Sequence, residues 1–128
     1  MKVSCADMAV IEVKFQRNIE FNSQQETQVS VKVEPTYGVN EDPDAENSRL
    51  MLSFTVGEEE NKNMPFFCKI VIAGIYNWNG VSAEDAEKEI MTMGANQLMS
   101  FITSYFHDLT LKARLQPVIL PPIEFDDM

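Results

Sequence analysis

Apolar and polar positions divide the first part of the chain into strands and the later part into helix. Over residues 10–21, Ile11, Val13, Phe15, Ile19 and Phe21 share one parity, broken only by Arg17. Glu12, Lys14, Gln16, Asn18 and Glu20 share the other. That period of two predicts a long strand with one wet face. Polar residues 22–27 read as a connection. Val29, Val31 and Val33 then alternate with Gln28, Ser30, Lys32 and Glu34. They predict a second half-buried strand, which Pro35 ends or bends because proline lacks the ladder N–H. Leu50, Leu52, Phe54 and Val56 alternate with Met51, Ser53 and Thr55 and predict a third. Phe66–Tyr76 differs from all three: Lys69 is its only charge, and it is rich in β-branched residues with aromatic ends. A strand apolar on both faces is central and covered on both sides. Its closeness in sequence to the third strand predicts an antiparallel hairpin.

The pattern changes period after residues 77–80 (Asn-Trp-Asn-Gly), which read as a turn. Ser82 with Asp85 three residues on resembles a capping box, so a short acidic helix is expected from Ala83 to about Met91. Gly94 predicts a break or kink near 92–94. A longer helix should follow from about Ala95 to Ala113, with Leu98, Ile102, Tyr105 and Leu109 as its inner stripe. Met99, Phe101 and Phe106 lie on other faces of that helix. It is too apolar all round to pack on one sheet alone, so these three are candidates for contact with another subunit or a ligand. Prolines hold the tail from Leu115 to Met128 extended.

The totals narrow the function more than they specify it. At 128 residues the chain fits one domain. Residues 1–8 and 126–128 are expected to be loose, and 38–48 to form a surface loop. The net charge of −10 repels phosphate backbones and anionic lipid, so neither nucleic acid nor membrane insertion is expected. Cys5 and Cys68 have no metal-type spacing. Asp7 follows Cys5 with no apolar stretch before it, so no lipoprotein anchor is expected and a cytoplasmic location is.

Candidate chemistry is sparse. There is no GxGxxG or GxxxxGK[ST] loop to cradle a phosphate. His107 beside Asp108 is the only histidine, and its position off the inner stripe makes it a solvated helix residue. Asn40, Asp42, Asp44 and Glu46 alternate, but Pro43 sits where a calcium loop must turn. Glu124, Asp126 and Asp127 read as a solvated acidic end. No catalytic residue, metal or cofactor is expected. Eight Met and eight Phe in so short a chain leave adaptable apolar surface as the remaining source of function.

At this point the residues resemble a family, the SecB protein-export chaperones. The likeness spans about residues 10–125. It rests on Ile19-Glu20-Phe21, on Phe67-Cys68-Lys69 with Gly74-Ile75-Tyr76, on Asn96-Gln97-Leu98, and on Leu120-Pro121-Pro122-Ile123-Glu124-Phe125. The sequence also looks like a divergent, short, Gram-positive-type member of that family, one lacking the C-terminal helix. The resemblance implies an α+β fold, a four-stranded antiparallel sheet followed by a short and a long helix packed on one face. It implies dimers paired through the first strand, tetramers with helices sandwiched between dimers, and ATP-independent holding of unfolded polypeptides linked to export. A groove lined by Tyr76, Trp78, Ile123 and Phe125 is the expected binding site. The alternative is an adaptor of the same fold with one specific partner. The family pattern continues into a C-terminal helix and a motor-binding tail, whereas this sequence stops at Met128. It also has Ser100-Phe101-Ile102 where the family's main helix opens on an aromatic residue and proline, which leaves motor docking open.

Overall fold

The computed structural model describes residues 3–19, 30–58, 65–115 and Leu120. Four strands, β1 (Val3–Arg17), β2 (Val31–Val39), β3 (Asn47–Val56) and β4 (Phe66–Trp78), form one antiparallel sheet in the order β1-β4-β3-β2. The helix α1 (Ala83–Glu89) leads through one π-helical turn (Ile90–Gly94) into α2 (Ala95–Lys112). As predicted, β4 is interior, paired on one side with β1 and on the other with β3.

The helices cover one face. Register decides which residues they meet, because paired residues of an antiparallel ladder share a face. Leu50, Leu52, Phe54 and Val56 pair with Gly74, Ile72, Ile70 and Cys68. All eight positions point to the helix side, and the side chains among them are fully buried. Burying each large apolar side chain there is worth about 1.5–3 kcal/mol. Phe106 of α2 stands edge-on to Phe54, with ring centroids 5.5 Å apart, and lies 5.8 Å from Phe66. Phe66 in turn stacks on Phe15 of β1 at 5.5 Å.

Strand β1 departs from the simple alternation. It starts at Val3, opposite Trp78, so residues 3–8 are ordered strand and not a loose end. It stops at Arg17, and Ile19 lies beyond it in a turn. Bulges between Cys5 and Asp7 and between Val10 and Glu12 each insert one residue. Each insertion flips the parity of the residues after it. The helix-side residues are therefore Val3, Cys5, Met8, Val10, Val13 and Phe15, while Ile11 is an extra residue at a bulge and is exposed.

Strand β2 runs straight through Pro35, which pairs with Leu52. An edge strand tolerates proline because its outward N–H positions bond no neighbour. The expected loop at 38–48 is accordingly shorter: β2 extends to Val39 and β3 begins at Asn47. Within it Asn40 Oδ1 accepts from the Asp42 N–H at 2.9 Å, and Asp42 Oδ1 from the Asp44 N–H at 3.0 Å. These side-chain oxygens serve the loop's own backbone.

The helix start is as the sequence indicates: Ser82 Oγ accepts from the Asp85 N–H at 3.1 Å. The expected break near Gly94 is a π turn and not an interruption, so the two helices remain continuous. The far end of α2 closes with a Schellman motif. The Leu115 N–H bonds to Thr110 O at 3.1 Å and the Arg114 N–H to Leu111 O at 3.0 Å, with Arg114 at φ 58°. Arg17 Nη1 adds a 2.7 Å bond to Ala113 O, tying the end of β1 to the end of α2.

Candidate functional site

Of the residues expected to line a groove, Tyr76 and Trp78 lie among the described residues, and both are buried. Tyr76 is fully buried on the helix side of β4. Its ring is held between two glycines: a Cβ on Gly74 would lie 2.8 Å from Tyr76 Cε2, and one on Gly94 3.0 Å from Cζ. The phenol donates to Gly94 O at 3.2 Å, the carbonyl of the π turn. Burial also pushes its pKa upward, the neighbouring Cys5 contributing less. Tyr76 therefore anchors the helices to the sheet and presents nothing to a ligand. Trp78 shares that face and is also buried. Both miss the site for the same reason: β4 is apolar on both faces, and its own sequence does not say which one the helices take. Ile123 and Phe125 lie outside the described residues.

The helix candidates sort differently. Met99 and Phe106 face the sheet and are buried in this chain's own core, so neither is free for a partner. The buried stripe runs Ala95, Leu98, Met99, Ile102, Phe106 and Thr110, turned from the expected Leu98, Ile102, Tyr105 and Leu109. Phe101 alone of the three keeps its ring outside, 42% exposed. It stacks on the half-buried Tyr105 with centroids 6.3 Å apart. One apolar patch thus does lie on the outer face of α2.

A second apolar strip runs along β1, whose outer edge has no neighbour among the described strands. Val10, Ile11 and Val13 are exposed there at 39%, 57% and 36%. Val10 and Val13 point to the helix side, but the helices do not reach over the edge strand to cover them. An unpaired edge with apolar side chains is a template for another strand. The face of the sheet away from the helices is mixed. Phe67, Val71 and Ala73 are buried on it, Ile75 is partly exposed, and Lys69 Nζ sits 3.7 Å from Glu12 Oε2.

No grouping of titratable side chains among the described residues suggests catalysis. Cys68 is buried against apolar neighbours, which push its thiol pKa up to about 12 and make it a poor nucleophile. His107 and Asp108 are exposed on α2. Among the described residues no three His, Cys, Asp or Glu side chains are placed to hold a metal ion. No described helix is long and apolar enough to cross a membrane.

This sheet-and-helix arrangement is the fold of SecB-like chaperones. It matches a Mycobacterium tuberculosis SecB-like chaperone solved in complex with a ChAD peptide from the HigA1 antitoxin, with a TM-score of 0.77. The match covers 98% of this chain and 93% of that one at 15% identity. The family model for preprotein translocase subunit SecB matches residues 6–128, and the chain belongs to the SecB family. Two curated relatives agree. Protein-export protein SecB 2 of Francisella tularensis subsp. novicida is 28% identical over 81 residues, covering 63% of this chain and 55% of that protein. Protein-export protein SecB of Halorhodospira halophila is 24% identical over 92 residues, covering 71% and 53%. The chain spans about half the length of these curated relatives. The family is one of chaperones and not of enzymes.

Proposed function

We propose that this chain is an ATP-independent holdase that binds unfolded or apolar polypeptide segments in the bacterial cytoplasm, with a link to protein export. The observation that carries this reading is the apolar surface outside the core: Val10, Ile11 and Val13 on an open sheet edge, and Phe101 with Tyr105 on the outer face of α2. Membership of the SecB family supports it. The chain works as a homo-oligomer: the β1 edges pair two copies, and the Phe101 face packs two such dimers together or receives polypeptide. No catalytic step is assigned.

The test is aggregation of a reduced, unfolded client without nucleotide. Suppression at stoichiometric ratio is expected, and none at any ratio overturns the proposal. Light scattering at micromolar concentration should show a dimer or tetramer; a monomer alone removes the oligomer. A second reading is an adaptor for one partner. It is favoured by the structural relative, which was solved with a peptide of one defined protein. Capture of a single stoichiometric partner from lysate supports the adaptor, and capture of many unrelated chains supports the holdase.

A further inference from the structure

The sheet carries a pocket of about 280 Å³ whose lining includes Gly38, Asn40, Asn47, Arg49 and Ile75, with Val39 and Ser48 between them in the strands. Its floor is set by register. Gly38 pairs with Arg49 and Arg49 with Ile75, so the three form one row across β2, β3 and β4. Their parity is opposite to that of buried Leu50 and Leu52, which places the row on the face away from the helices. The Arg49 guanidinium lies over Gly38, with Nε and Nη2 each 3.7 Å from where a Cβ would stand.

Arg49 is the only charged residue lining the pocket, in a chain of net charge −10. The other described cations of the sheet are engaged. Arg17 bonds Ala113 O, Lys32 pairs with Glu34, Lys69 with Glu12, and Lys14 also has a partner. Arg49 bonds no carboxylate or carbonyl among the described residues. A second donor stands beside it. Asn40 is locked, because its Oδ1 accepts from the Asp42 N–H, so its Nδ2 donates to Asn47 Oδ1 at 2.7 Å. That leaves the Nδ2 hydrogens of Asn47 to donate. Asn47 and Arg49 are two apart on β3 and share a face. A guanidinium, an amide NH₂ and no acid form a receptor for a planar carboxylate. Ile75, 38% exposed in the same row, adds apolar contact next to it.

We propose that this pocket binds an acidic side chain of a bound polypeptide, with a neighbouring aliphatic residue seated on Ile75. The inference rests on the polypeptide-binding reading and adds a sequence preference to it: an Asp or Glu next to an aliphatic residue. Arg49 gives the charge-assisted contact, and Asn47 orients the carboxylate.

The test uses two labelled, unstructured apolar peptides, acetylated and amidated so that their only carboxylate is one Glu beside Leu. The second peptide has Gln in its place. Fluorescence anisotropy at low salt reads binding to the full chain and to Arg49→Gln. The wild type should favour the Glu peptide by roughly five- to tenfold, the scale of an exposed charge-assisted pair. Arg49→Gln should bring that preference below twofold and leave the unfolding midpoint unchanged. Equal binding of both peptides by the wild type overturns this inference alone. Binding of neither overturns the polypeptide reading as well. A preference that survives in Arg49→Gln, or full displacement by millimolar acetate at matched ionic strength, also overturns it, the latter by marking a site for small free carboxylates.

Discussion

Replacing Gly94 with alanine tests whether the Tyr76 anchor governs the π turn. In an open helix this change is favourable, since alanine exceeds glycine in helix preference by about 0.8–1.0 kcal/mol. Here the new Cβ would stand 3.0 Å from Tyr76 Cζ, 3.1 Å from the phenol oxygen and 3.2 Å from Cε1. The ring has no room to retreat, because Gly74 and Leu98 close its other side. Overpacking a filled core costs about 1–3 kcal/mol. The contact outweighs the helix preference, and Gly94→Ala should destabilise the chain by about 1 kcal/mol. Urea unfolding followed by the fluorescence of buried Trp78 measures this directly. Ser104→Ala, on the exposed side of α2, is the control and should gain a few tenths of a kcal/mol. In the Gly94→Ala background Tyr76→Phe should cost less than it does alone, because it removes one of the three close contacts, the oxygen 3.1 Å from the new methyl. A coupling of about 0.5 kcal/mol or more is expected. A stabilised Gly94→Ala variant would refute the reasoning, since it would mean that the turn behaves as open helix.

Arg114 holds the left-handed position of the Schellman motif at φ 58°, where a side chain is unfavourable and glycine is not. Arg114→Gly should therefore raise stability by about 0.5–1 kcal/mol, read as a higher midpoint of thermal unfolding. A lower midpoint contradicts the assignment. Cys68 gives a pH dependence. Burial lifts its thiol from 9.0 to about 12, so between those values the folded chain keeps a proton that the unfolded chain loses. Stability should then be insensitive to this group below about pH 9 and fall above it, by no more than about 1.4 kcal/mol per pH unit. The Tyr76 phenol, raised likewise, adds to the fall at higher pH. Unfolding measured at pH 8, 9 and 10 should show a smaller slope in Cys68→Ala; an unchanged slope would exclude the thiol as a source.

The sequence makes the sheet legible where one face is plainly apolar and the other plainly polar. β3 alternates without fault, and the Ser82 cap, the disturbance near Gly94 and the end of α2 all carry local signals. β1 hides its start because the bulge after Cys5 breaks the period over Val3–Met8. Pro35 suggests a stop because strand position within a sheet is not written locally, and only an edge place excuses it. The helix stripe is misplaced by periodicity alone because residues 98–109 offer two overlapping apolar faces, and contact with Phe54 and Phe66 selects the one containing Phe106. The candidate site is least legible. Tyr76 and Trp78 look like groove residues until register, with Ser48 of β3 for the first and Val3 of β1 for the second, places them on the buried face. Arg49 and Asn47 precede the alternating run from Leu50, and they gain meaning only when β2 and β4 bring Gly38 and Ile75 alongside.

The strand order has a consequence for how the molecule comes into being. The ladder between β1 and β4 joins Val3 to Trp78, closing a loop of about 75 residues, whereas the β3 and β4 ladder closes over a short connection. Local pairs form first and distant ones later. During synthesis at about 5–20 residues per second, β1 leaves the ribosome several seconds before its partner exists. A chain of a chaperone family thus passes its own early life with Val10, Ile11 and Val13 on a strand that has no neighbour on either side.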